Sequence, residues 1–193
     1  MGRAAPGGGM KAVDMTEAAH QRAARSYAWG ALSLLGLAVA VATALADQGS
    51  KFWLLYDFDL PDRFRVAVTP FVDFVLTWNT GISYGLFPQR GLIGAWALLA
   101  FKVVAVVLLW VWLARASSKL TAVALGLIIG GAVGNAIDRL HWPGVMDFVL
   151  FHFETAEFSF RWYVFNLADL AIVAGVVGLL YESVRQGSAA KAP

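Results

Sequence analysis

Phe165-Asn166-Leu167-Ala168-Asp169 runs without a break into the apolar stretch 170–181, so a carboxylate sits at the mouth of a segment suited to a membrane span. An ionisable side chain inside a span is expensive, roughly 2.5–3.5 kcal/mol on insertion scales, so it faces a bundle interior or a wet cavity and marks a function. Asp169 is therefore the first functional candidate. Asn166 lies three positions earlier, on the same helical face, where an amide can hydrogen-bond a carboxylate or its substrate. Upstream, Val145-Met146-Asp147-Phe148 supplies a second carboxylate, returned toward the first by the intervening loop.

Working outward, the whole chain reads as a membrane protein. Its 193 residues are 59% hydrophobic with a mean hydropathy of +0.65, too apolar for an ordinary soluble domain of that length. Four runs, 27–46, 92–114, 120–137 and 164–181, are long enough to cross the ~30 Å hydrocarbon core as helices. A net charge of +2 is too small to argue for nucleic acid, and the absence of cysteine excludes disulfides and thiolate metal sites. With both termini on one side, that side carries Arg3, Lys11, Arg22, Arg25, Arg115, Lys119, Arg185 and Lys191, against Lys51, Arg63, Arg65, Arg90, Arg139 and Arg161 opposite. Arg22, Arg25, Arg115, Lys119 and Arg185 flank the span ends, where the positive-inside bias counts, so both termini are expected in the cytoplasm. Asp47, Asp138, Asp147 and Asp169 then fall at the outer face.

Along the chain, 1–25 is rich in Gly and Ala with no apolar period and is expected to be a disordered cytoplasmic tail. The run 27–46 resembles a cleavable signal peptide in its basic flank and its Ala44-Leu45-Ala46, but it exceeds the usual ~7–15-residue apolar region, which favours a retained span. Asp47 and Lys51 stand four apart with the acid first, the favourable order for a helical pair, and by spacing alone they read as an interfacial anchor. In the extramembrane segment 48–90, Val72, Phe74, Leu76 and Trp78 alternate with Asp73, Thr77 and Asn79, which predicts a strand in a small surface sheet. Lys102 sits near the middle of the second span, where it has two stances open to it, snorkelling or pointing into the bundle. Gly126, Gly130 and Gly134, four apart on the third span, permit close approach of a neighbouring helix. That span ends in Gly134-Asn135-Ala136-Ile137-Asp138-Arg139, a polar cluster that reads equally as an anchor or as part of a site. Residues 145–151 suit a short strand or a dipping loop, and 152–161 an outer loop carrying Glu154 and Glu157.

Three peptidase chemistries are open to a chain of this kind. Gly81-Ile82-Ser83-Tyr84-Gly85 fits the G-x-S-x-G elbow, but that elbow needs an α/β sheet for which the chain has no room. No H-e-x-x-H pattern exists for a zinc protease. What stands is a pair of aspartates at the membrane surface among Asn and Arg side chains, able to activate water and protonate a leaving group. A proton-coupled transporter relaying through Asp169, Asp138 and Lys102 is the competing class, though no repeat or broken-helix pair supports it. A non-catalytic scaffold leaves the clustered acids unexplained.

Asp47-Gln48-Gly49-Ser50-Lys51, Asn79-Thr80-Gly81-Ile82-Ser83, Gly134 to Arg139, Val145 to Phe148 and Phe165 to Asp169, taken together and in order, resemble the motif set of the bacterial prolipoprotein signal peptidases (signal peptidase II). The resemblance covers roughly 27–182. It implies an inner-membrane aspartic endopeptidase that removes the signal peptide before a diacylglyceryl-modified cysteine, with Asp147 and Asp169 as the catalytic pair. Asp47, Lys51, Asn79, Gly81, Asn135, Asp138, Arg139 and Asn166 match supporting and substrate-contacting positions. It further implies a monomer without metal or cofactor, prolipoprotein and membrane lipid as partners, and inhibition by globomycin-type cyclic peptides. Tyr84, Tyr163-Val164 and Leu170 depart from the family's usual Phe, Pro and Ser, and the segment between the two aspartates is longer than usual. The expected fold is an all-α membrane bundle of four transmembrane helices with a small extracytoplasmic β-sheet and short helix, occupying 26–184, followed by a cytoplasmic tail at 185–193.

Reporter fusions after Arg115 and Lys191 are expected to read cytoplasmic, and fusions within 57–65 and 154–157 external. A cytoplasmic reading in either acidic segment places the two aspartates on the wrong face and rejects the peptidase reading.

Overall fold

The computed structural model describes residues 28–81 and 92–189. In chain order these form α1 (Ser33–Phe52), a single π-helical turn (Trp53–Asp57), α2 (Leu60–Arg63), β1 (Arg65–Thr69), β2 (Val72–Asn79), α3 (Leu92–Ala114), α4 (Lys119–His141), β3 (Val145–Glu154), β4 (Ser159–Arg161) and α5 (Leu167–Ala189). Among the described residues three helices are long and apolar enough to cross a membrane, Ser33–Asp57, Lys119–His141 and Leu167–Gly187; α3 contributes the shorter apolar stretch Ala100–Ala114. The expected tail 1–25, Ser83 and Tyr84 lie outside the described residues.

α4 is the helix against which the others lean, and glycine makes this possible. Lipid is as apolar as leucine, so helices in a membrane associate by close packing rather than by hydrophobic exclusion. A Cβ added to Gly126 would lie 2.6 Å from the Gly36 carbonyl oxygen, and one on Gly130 would lie 2.4 Å from that of Ala40. The glycine stripe therefore receives the backbone of α1. A neighbouring face receives α5: a Cβ on Gly131 would meet the Ala168 oxygen at 2.5 Å, and one on Gly175 the Ala124 oxygen at 2.5 Å. α3 packs by side chains, with Leu113 fully buried among Ala40, Ala122, Leu125 and Ile129.

Helix ends differ from expectation wherever polar residues terminate an apolar run. α1 continues to Phe52 rather than ending at 46, because Asp47 and Lys51 neutralise each other inside the protein and leave no reason to stop. α4 likewise extends through Asn135, Asp138 and Arg139 to His141, and α5 runs on to Ala189.

Above the bundle lies a four-stranded antiparallel sheet in the order β1-β2-β3-β4. The alternation in β2 holds: Phe74, Leu76 and Trp78 pack with Leu54, Leu60, Met146 and Phe148 in a second apolar core. The segment 152–161, expected as a loop, is instead a hairpin in which His152, Phe153 and Glu154 pair with Arg161, Phe160 and Ser159. Its ends are tied by the Glu154–Arg161 ion pair at 3.0 Å. Phe165 then exchanges backbone hydrogen bonds with Val149, at 2.8 and 3.0 Å, so the chain enters α5 fastened to β3.

Gly130→Ala is expected to lower stability by about 1–3 kcal/mol, because its methyl group must displace backbone atoms of α1. Gly187→Ala, where nothing lies within 4 Å, is expected to be neutral or slightly stabilising through helix propensity. Thermal unfolding in detergent checks both; equal melting temperatures for the two variants would reject the close-contact role of Gly130.

Candidate active site

Asp169 is held by the geometry of a helix start. The Asp169 N–H donates to Asn166 Oδ1 at 2.9 Å, and the Asn166 N–H returns a longer bond to Asp169 Oδ2 at 3.4 Å. This reciprocal arrangement is a capping box with aspartate in the acidic position, so Asn166 and Asp169 satisfy the first orphan amides of α5. Since Phe165 is pinned to Val149, the cap lands beside β3.

Asp147 comes from that strand. It pairs with Thr77, which puts its side chain on the face opposite Met146 and Phe148 and diagonal to Asn79. Asn79 Nδ2 donates to Asp147 Oδ2 at 3.2 Å, and Asn166 Nδ2 donates to Asp147 Oδ1 at 2.7 Å. Asn166 therefore contacts both candidate carboxylates, one through its side-chain amide and the other through its cap. Burial raises the Asp147 carboxyl to about 7, the charge of Asp169 adds to the rise, and the bonds from Asn79 and Asn166 oppose it.

Beneath the pair lies a buried polar network. Lys51 Nζ stands 2.7 Å from Asp47 Oδ2 and 2.7 Å from Asp138 Oδ2, with Asn135 Oδ1 at 3.5 Å. Asn135 joins the levels: its Nδ2 donates to Asp169 Oδ1 at 3.0 Å and its Oδ1 accepts from Asn166 at 3.1 Å. Each supporting acid also grips the backbone next to one upper aspartate. Asp47 Oδ1 accepts the Ala168 N–H at 3.0 Å, and Asp138 Oδ2 accepts the Met146 N–H at 3.0 Å. Arg139 donates through Nη2 to the Gly81 carbonyl, while the Gly81 N–H donates to Asn79 Oδ1 at 3.1 Å.

All ten residues singled out from the sequence thus belong to one connected network, and Asp47 with Lys51 lies in its interior rather than at an interface. Gln48 was missed, although its Nε2 reaches Asp138 Oδ1 at 2.7 Å and the Gly134 carbonyl at 3.0 Å. A neutral amide at a helix end carries no periodic or energetic signal. Trp162 was missed as well; it lines the adjoining cavity of about 360 Å³ together with Asn79, Asp147, Asp169, Val164, Phe165, Leu170, Ile172 and Val173. His152 belongs elsewhere, 3.1 Å from Asp73. Burial pushes the Asp73 carboxyl up, but its contacts with Arg65 and His152 outweigh this and hold it below the usual range. Among the described residues no three His, Asp or Glu side chains gather to hold a metal ion.

Two carboxylates at a cavity mouth, one with a raised proton affinity, form an acid–base arrangement. Residues 39–185 match the family described as Signal peptidase (SPase) II. The chain belongs to the signal peptidase II family. The lipoprotein signal peptidase of Nitrobacter hamburgensis is 58% identical over 82% of this chain and 96% of its own length. That of Rhodopseudomonas palustris strain TIE-1 is 55% identical over 82% and 97%. A bacterial membrane enzyme solved at 2.3 Å by the in meso method superimposes with a TM-score of 0.64 at 23% identity, covering 82% of this chain and 93% of its own, which supports the fold. Membership of signal peptidase II makes this a membrane peptidase and sets aside the transporter reading.

Because folding raises the Asp147 carboxyl, the fold favours its protonated form. Its contribution to stability is present below the ~4 of an unfolded aspartate and is lost as pH rises through about 7. An infrared band of protonated carboxyl is expected to disappear near pH 7 in the wild type and to be absent from Asp147→Asn. In Asp169→Asn the same transition should move to lower pH, because the repelling charge is gone. The absence from the wild type of any carboxyl band that titrates near 7 would refute this.

Proposed function

We propose that this chain removes the signal peptide from prolipoproteins, cutting before the diacylglyceryl-modified cysteine by an aspartic mechanism. The observation that carries the reading is the bridging of Asp147 and Asp169 by Asn166 at one cavity. The walls contributed by Leu170, Ile172, Val173 and Val164 are apolar, which suits a substrate whose cleavage site carries a lipid.

In this mechanism the pair holds one proton below about pH 7, carried by Asp147, while Asp169 takes the proton from a water that attacks the scissile carbonyl. Asp147 then delivers its proton to the departing amide nitrogen. Paired carboxylates divide acid and base roles in this way when their environments differ. Here the difference is structural: Asp169 is held by backbone and amide donors at a helix start, where anions are favoured, whereas Asp147 is buried on a strand. Asp47, Lys51, Asn135 and Asp138 hold the backbone and amides that aim the pair, and Asn79, Gly81 and Arg139 fix the strand end beside it.

The proposal includes the setting: four spans in the bacterial inner membrane with α3 as the second, both termini cytoplasmic, and the site extracytoplasmic at the outer ends of α1 and α4. The enzyme acts as a monomer, without cofactor, on lipid-modified prolipoproteins, and globomycin-type cyclic peptides inhibit it.

Purified protein in lipid should release the signal peptide from a diacylglyceryl-modified prolipoprotein. Asp147→Asn and Asp169→Asn should each lower turnover by about 10²–10⁴-fold while leaving folded protein. Their losses should not add in the double variant, since residues acting as a unit fail together. Wild-type turnover in either single variant would refute the mechanism.

A further inference from the structure

α3 carries a single charged side chain, Lys102. Lys102, Val106, Leu109 and Leu113 recur at steps of four, three and four, which is one helical stripe. The last three of these pack in the core with Ala122, Leu125 and Ile129 of α4. Phe101, Val103 and Val104 beside Lys102 are exposed, whereas Lys102 is half-buried. Lys102 therefore faces α4 rather than lipid.

The short link between α3 and α4 makes them antiparallel, so Lys102 lies beyond the core toward the end of α4 that holds Asn135, Asp138 and Arg139. Of the charged groups acting on its ammonium, Arg139 of α4 is foremost and repels it, Asp169 of α5 and Asp138 of α4 attract it, and Lys51 of α1 repels it more weakly.

We propose that Lys102 is the counter-ion of the Asp147–Asp169 pair, a positioning residue that favours its singly ionised form from the membrane side. The inference rests on the dyad reading above and names a residue outside the motifs that support that reading. Charge balance shows why it is needed. With one proton on the pair, its remaining negative charge and those of Asp47 and Asp138 face, among the described residues of the network, Lys51 and Arg139. Lys102 supplies the missing positive charge. In a poorly polarisable interior an uncompensated charge is not screened away, so the balance bears directly on how readily the pair ionises. The same requirement gives a reason for an ammonium group in the middle of an apolar helix.

The test is the pH dependence of kcat/KM, whose limbs report the acid and base of the free enzyme. Lys102→Met removes the charge and keeps an apolar side chain that a span accepts. Without the cation both limbs are expected to move to higher pH by about one unit, the size of effect an opposite charge nearby exerts on a carboxylate. Lys102→Arg keeps the charge and should restore the wild-type limbs. Limbs that stay in place in Lys102→Met overturn the proposal, whether turnover is unchanged, falls uniformly or changes only through KM. Should Lys102→Met not be recovered folded, Lys102→Gln is measured in the same way. Loss of folding in both would also overturn it, since a neutral side chain inserts more easily than lysine and only an indispensable structural role would then remain. Inactive Asp147→Asn and Asp169→Asn with unmoved limbs in Lys102→Met would reject only this inference, whereas active Asn variants would reject the dyad itself.

Discussion

The Lys51 ammonium, withdrawn from solvent between Asp47 and Asp138, is the contact on which the site's construction rests. A buried ion pair is weak evidence for stability, because desolvation offsets much of the attraction. Its value here is register. Lys51 can meet both acids only when the C-terminal ends of α1 and α4 are in one relative position, and Gly134 permits that position, since a Cβ there would lie 2.6 Å from Asp47 Oδ2. The two acids then pass the register upward: the second oxygen of Asp47 accepts the amide before Asp169, and the oxygen of Asp138 that meets Lys51 also accepts the amide before Asp147.

Sheet and bundle are thus interlocked rather than stacked. β3 belongs to the sheet through its pairing with β2, yet its first residues are held by a carboxylate of α4 and by the side chain that caps α5. The exchange between Val149 and Phe165 closes the circuit. Each candidate aspartate is consequently fixed by elements distant in sequence, Asp147 by β2 and the start of α5 and Asp169 by α4 and α1, which is the preorganisation acid–base chemistry demands.

What was legible in the sequence was whatever carried an energetic penalty or a period. Asp147, Asp169, Asp47, Lys51 and Asp138 are conspicuous because charges among apolar residues must be answered by something. The alternation of β2 and the Gly126-Gly130-Gly134 spacing are geometric signals, and both were realised. Features that depend on a partner were hidden. α1 overran its expected end because the Asp47–Lys51 pair, which spacing placed at an interface, is buried against Asp138 of a helix far away in sequence. The hairpin at 152–161 was obscured because exposed turn residues and a short strand read as loop. The orientation of Lys102 is decided by the packing of Val106, Leu109 and Leu113 on α4, which no local pattern records.

The cap at the start of α5 has a consequence in time as well as in space. On the proposed mechanism the carboxylate that takes a proton from water is the one that accepts the Asn166 amide. A protonated carboxyl is a poorer acceptor and no longer favours the positive end of a helix. On that mechanism each turnover would loosen the first turn of α5 as the tetrahedral species forms and tighten it again when the carboxyl is relieved of its proton. Asn166 touches both aspartates, so that brief slackening is felt at Asp147 too, and the helix terminus marks the phase of the cycle.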